Sequence, residues 1–191
     1  EKQAKYALDL VGKYFNETYW HFFRLRPQNF PTVRMAGGAR ILKELLHNNL
    51  ISVMAKKITE IHNLTVLVNS LRSIFVVRAD GYWRNHYIFD QKANSEIKYF
   101  VGASRADEIL VNVILPFFAI YFDIFANREL SKKIIRIYNI CQQRSENQII
   151  NEVAGGLNLS KYTSTSVLAQ GMIELFRNYC SRNKCLECEI G

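Results

Sequence analysis

Apolar residues recur along this chain at spacings of three and four, and strict alternation is almost absent. That period belongs to one stripe of an α-helix and not to a half-buried strand. The chain is therefore expected to be all-α, an irregular multi-helix domain over residues 1–191 that ends in a short cysteine-containing tail. With 49% hydrophobic and 13% aromatic residues it has ample material for a core.

Residues about 2–14 set Ala4, Leu8, Val11 and Phe15 on one stripe. A second helix is predicted over about 31–48, with Pro31 in its first turn, where a missing N–H costs nothing. Asn48-Asn49 punctuates the chain, and helices follow near 50–58 and 63–77, the latter carrying Leu64, Val68, Leu71 and Phe75. Arg78-Ala79-Asp80-Gly81 signals a turn, and the aromatic run Tyr82 to Phe89 is read as irregular. Ser104 with Asp107 has the form of a capping box, and Pro116 should bend the helix that follows. A helical pair is predicted over about 128–142 and 145–157, closed by Gly155-Gly156. The last helix starts at Ser160 or Thr163 and runs into Cys180. Glu146, Asn147 and Gln170 are read as polar ties among apolar neighbours.

The longest apolar stretch, 109–126, contains Asn112, Pro116 and Asp123, which suit a kinked buried helix better than a bilayer span. No membrane role and a cytoplasmic location are expected. The chain opens at Glu1 without a methionine, so it is expected to be a piece of a longer protein. Four cysteines in 191 residues do not suggest a disulfide-stapled domain.

The formal net charge is +8, enough to favour polyanionic partners if the basic residues cluster. Arg24, Arg26, Arg34 and Arg40 fall in a stretch without acids, and Lys132, Lys133, Arg136 and Arg144 form a second basic segment. Within the first, Arg24, Arg26, Asn29 and Arg34 flank two prolines that pre-shape a loop, so their donors can meet a phosphate or carboxylate with little entropy loss. The same arginines would also serve a rigid turn between helices. Trp83, Arg84 and His86 lie in an aromatic box able to stack bases and hydrogen-bond their edges, or to pack into the core. DNA or RNA is thus an expected partner, and a basic face that docks another protein is the competing reading. No Walker loop, G-x-S-x-G, H-E-x-x-H or dinucleotide fingerprint is present, and no catalytic residues are assigned.

Cys180, Cys185 and Cys188 stand in a C-x4-C-x2-C arrangement, close enough in sequence for their thiolates to converge on one zinc ion or an iron–sulfur cluster. A fourth ligand is needed. Cys141 is the remaining cysteine, and His21, His47, His62 and His86 are the other candidates.

Several of these segments resemble one known family. Arg26-Pro27-x-Asn29-Phe30-Pro31-x-x-Arg34, Tyr82-Trp83-x-x-His86-Tyr87-x-Phe89, the stretch from Gly102-x-Ser104 to Pro116, Glu146-Asn147-Gln148 and Tyr179-Cys180-x4-Cys185-Leu186-x-Cys188 are similar to the C-terminal half of the bacterial domain-of-unknown-function family 2851. The resemblance implies a helical C-terminal region of a nuclease-like protein whose N-terminal half, a partner for this one, has a restriction-endonuclease-like fold. It further implies that the basic loops help to hold nucleic acid and that the cysteines staple the end of the helical lobe. By analogy with cluster-bearing nucleases, Cys141 would join Cys180, Cys185 and Cys188.

Overall fold

The computed structural model describes residues 26–142 and 147–190. The predicted helix over 2–14, and with it Arg24, His21, Arg144 and Glu146, lies outside the described residues.

Helix α1, Pro31–His47, follows a 3-10 turn at Pro27–Asn29 and has Pro31 at its first position, as the sequence predicts. Its inner face is narrow. Val33 and Gly37 are its buried positions, and a Cβ on Gly37 would lie 3.0 Å from the Cβ of Phe100 and 3.1 Å from Cγ2 of Val101. A glycine there lets the helix rest directly on a strand. Asn49 then takes the left-handed conformation (φ 45°) that short polar side chains tolerate, and turns the chain into α2, Leu50–Glu60.

In α2 every fourth residue, Leu50, Met54 and Ile58, is buried. Helix α3, Leu64–Phe75, is capped by Asn63, whose side chain accepts from the Val66 N–H at 3.0 Å. It buries Leu67, Val68, Leu71 and Phe75. These helices meet a long helical run made of α4, Ala103–Ile109, a π-turn at Leu110–Ile114, and α5, Leu115–Ile124. The wide turn stands immediately before Pro116, with the Leu115 N–H reaching the Leu110 carbonyl. Proline has no N–H and its ring crowds the carbonyl four residues back, so a wide turn here is how the predicted irregularity is accommodated. The expected capping box does not form. Gly102 is the cap residue, no side chain closes the helix start, and Asp107 is turned into the core instead, paired with Arg72 of α3.

Helix α6, Arg128–Ile140, is capped by Asn127 and presents Leu130, Ile134 and Ile137 to the same core. Its Lys133 ammonium donates to the Ile58 and Ile61 carbonyls, the latter at 2.7 Å, satisfying the end of α2. Cys141 closes α6 and is buried with these residues. Helices α7, Gln148–Gly156, and α8, Ser166–Asn178, form a smaller cluster around Ile150, Val153, Ala154, Ala169 and Met172. Backbone and side-chain bonds join it to the larger core, from Ser166 N–H to the Cys141 carbonyl (3.0 Å) and from Gln170 to Asn112 (3.0 Å). Gln170 is thus a polar tie, and Asn147 caps α7 through the Ile149 N–H.

The chain is mostly helical, with two small antiparallel ribbons between α3 and α4. Strand β1, Val77–Arg78, pairs with β4, Tyr99–Val101, and β2, His86–Ile88, pairs with β3, Gln91–Lys92. Strands of two or three residues are too short for alternation to register in a sequence. No helix among the described residues is long and apolar enough to cross a membrane.

Candidate functional site

A cleft of about 470 Å³ opens where the 3-10 turn, the first turn of α1, the segment leading into β4 and the start of α4 meet. Asn29 and Arg34 line it, as do Lys98, Ser104, Arg105, Glu96 and Glu108. Asn29 orients Arg34. Its side-chain oxygen accepts from Nη2 at 3.0 Å and its carbonyl from Nε at 3.3 Å, and Pro31 between them fixes the turn that brings the two together.

The charges in this cleft are unevenly matched. Glu108 is bonded to Arg105, and Glu96 is bonded to Arg84 (2.6 Å), which approaches from outside the lining. Among the described residues neither Arg34 nor Lys98 is in an ion pair. Burial first, and the Arg105 charge second, hold the Arg34 guanidinium below its ordinary pKa, while Glu108 acts the other way. A guanidinium stays protonated through such a shift, so Arg34 is an exposed cation beside a second one, Arg105, and a bound anion would offset their repulsion. Arginine's fork of donors matches the paired oxygens of a phosphate or carboxylate.

The aromatic box has a different environment. Trp83 and Tyr87 pack against the cluster of Val33, Ile97 and Phe100. Trp83 meets Phe89 edge-on with centroids 5.1 Å apart, and Phe30 meets Tyr87 at 4.6 Å. His86 lies stacked on Tyr82 at 3.9 Å, with Nδ1 3.0 Å from the Tyr82 carbonyl. The rings brace the wall behind the cleft and are not among its lining residues. Arg26 is exposed at the head of the 3-10 turn. Of the residues singled out from sequence, Asn29 and Arg34 are therefore brought together, while Trp83, Arg84 and His86 stand nearby and Arg24 lies outside the described residues.

Lys98, Arg105 and Glu108 were not legible as site residues. They carry no motif, and only the β1–β4 pairing and the packing of α1 on β4 bring them to Arg34.

A second groove, of about 340 Å³, lies between α7, the end of α8 and the tail. Cys180, Cys185 and Cys188 all line it, with Glu152, Phe176 and Tyr179. Cys141 does not. It sits in the main core, where burial first and the nearby Asp107 second push its thiol up to about 11, with Arg72 opposing. His47, His62 and His86 are not among the groove residues either. Among the described residues no three His, Cys, Asp or Glu side chains are already gathered in a metal-ready cluster.

No curated protein and no solved structure matches the chain. The model of a family described as "Protein of unknown function (DUF2851)" matches residues 2–148, a span that contains the whole cleft and stops short of the cysteine groove, and the chain belongs to that family.

Proposed function

We propose that the chain is a nucleic-acid-binding module of a nuclease-like protein, taking a backbone phosphate between Arg34 and Arg105 with Lys98 as a third cation. The observation that carries this reading is the pair of guanidiniums in one cleft, of which Arg34 is held by a neutral amide and, among the described residues, is in no ion pair. The basic balance of the whole chain, +8, would draw a polyanion toward it. Arg26 would extend the contact along the strand. The nuclease-like parent rests on the family resemblance alone.

The test is fluorescence anisotropy with labelled single-stranded DNA and RNA oligonucleotides across a salt series. Each phosphate contact should contribute a slope of about −0.7 in log affinity against log salt for single strands. Absence of binding at low salt, or binding indifferent to salt, would contradict the proposal.

A second reading has its own observation. Val113, Phe117, Ile120 and Ile124 form an exposed apolar stripe at helical spacing on the π-turn and α5, a surface suited to a protein partner. If that stripe is the working surface, Ile120→Asp would abolish an interaction in cells while leaving oligonucleotide affinity unchanged.

A further inference from the structure

The groove at the end of the chain supplies what the sequence pattern lacked. A structural zinc ion takes four ligands in a tetrahedron, commonly thiolates with a fourth side chain, and the C-x4-C-x2-C run provides three. The backbone of the tail already folds as two short turns that face the groove. Cys180 opens the first, Cys180–Arg182, and Cys185 opens the second, Cys185–Glu187. The second is closed by the Cys188 N–H on the Cys185 carbonyl at 3.2 Å. Asn183, at φ 54°, reverses the chain between them, and the Tyr179 carbonyl accepts from both Arg182 (3.1 Å) and Lys184 (3.0 Å). These bonds hold the turns against the end of α8, and all three cysteines line the one groove.

Glu152 of α7 lines the same groove. Among the described residues it is in no ion pair, in contrast to Glu187, which is bonded to Lys184 at 2.7 Å. Cys141 is buried in another cluster and its raised pKa opposes the thiolate a metal needs. A carboxylate as the fourth donor also favours zinc, which accepts oxygen as well as sulfur, over a cluster held by thiolates.

We propose that Cys180, Cys185, Cys188 and Glu152 form a zinc site that ties the end of the chain to α7. Among the described residues the four side chains are not already gathered, so binding would draw them from around the groove onto the ion and cross-link the tail to the helix. The inference is independent of nucleic-acid binding.

The experiment is zinc titration of the full chain against a chelating dye, followed by cobalt substitution, in which thiolate-to-metal absorption reports how many sulfurs bind. The expected result is one zinc per chain and a tetrahedral three-thiolate cobalt spectrum. Cys185→Ser should abolish tight binding. Glu152→Gln should weaken it by about tenfold or more, since even residues that only support a ligand contribute that much. Cys141→Ala should leave it unchanged. The exposed positions of Glu152 and Cys185 keep their substitutions away from the core, and circular dichroism checks this. No zinc at equimolar metal, loss on Cys141→Ala, full affinity in Glu152→Gln, or iron with visible absorption in its place would each overturn the proposal.

Discussion

The cleft around Arg34 and the groove around Cys185 are assembled in opposite ways. The cleft takes Asn29, Arg34, Lys98 and Arg105 from segments far apart in the chain, so its geometry depends on α1 lying on β4 and on α4 being anchored beneath it. The groove takes three of its polar groups from nine consecutive residues, laid against two helices by local turns. Charge lines the first, while sulfur and apolar surface line the second. A site built by long-range packing is sensitive to core substitutions, whereas a locally built one should tolerate them.

Arg72→Ala is the sharpest way to break that contrast. Asp107 is 2% exposed and pairs with Arg72, and it lies on the helix that carries Arg105 and Glu108 into the cleft. Removing one partner of a buried pair costs about 3–5 kcal/mol. Urea unfolding should report a loss of that order, and oligonucleotide binding should fall with it at temperatures where the variant begins to open.

The cysteines offer a comparison of one residue type in both regions. Cys141 is held as a thiol in the core, with its pKa raised to about 11, above the ordinary value of 9.0. Below pH 9 both folded and unfolded chains keep the proton. Above it the unfolded chain loses the proton first, so stability falls until the folded pKa is reached. A shift of this size corresponds to something on the order of 2–3 kcal/mol. Wild-type protein should therefore lose more stability than Cys141→Ala between pH 9 and 11, and equal losses would remove this account of the thiol. At neutral pH the exposed Cys180 and Cys185 should alkylate in the folded, chelator-treated protein while Cys141 does not.

A smaller effect is expected from Gly37→Val, which inserts side-chain atoms where even a Cβ is 3.0 Å from Phe100. Overpacking of this kind costs about 1–3 kcal/mol. It should widen the gap between α1 and β4 and weaken anion binding at the cleft, leaving the cysteine groove as it was.

Much of the helical frame was legible because its signals are local. Pro31, Asn48-Asn49 and Gly155-Gly156 mark helix ends that the structure reproduces within a few residues. The ribbons were not legible, because strands as short as Gln91–Lys92 carry no period. Ser104 and Asp107 had the right spacing for a capping box, but Arg72 offered the buried Asp107 a stronger partner than an exposed backbone N–H. Within the site, Asn29 and Arg34 could be found because they share a proline-rich segment. Arg105 and Lys98 could not, since their proximity to Arg34 is a product of tertiary packing. The cysteine spacing was plain, whereas Glu152 entered only through the packing of α7 against the tail.

The most direct test of the phosphate reading compares salt dependences. Single-stranded oligonucleotide affinity would be measured across a salt series for the wild type, for Arg34→Gln with Arg105→Gln, and for Arg40→Ala, whose guanidinium is bonded to Asp80 outside the cleft. The account predicts that the double variant binds more weakly and that its slope flattens by about 1.4, two contacts at about 0.7 each, with Arg40→Ala close to wild type. An unchanged slope in the double variant, or a larger loss from Arg40→Ala, would contradict it.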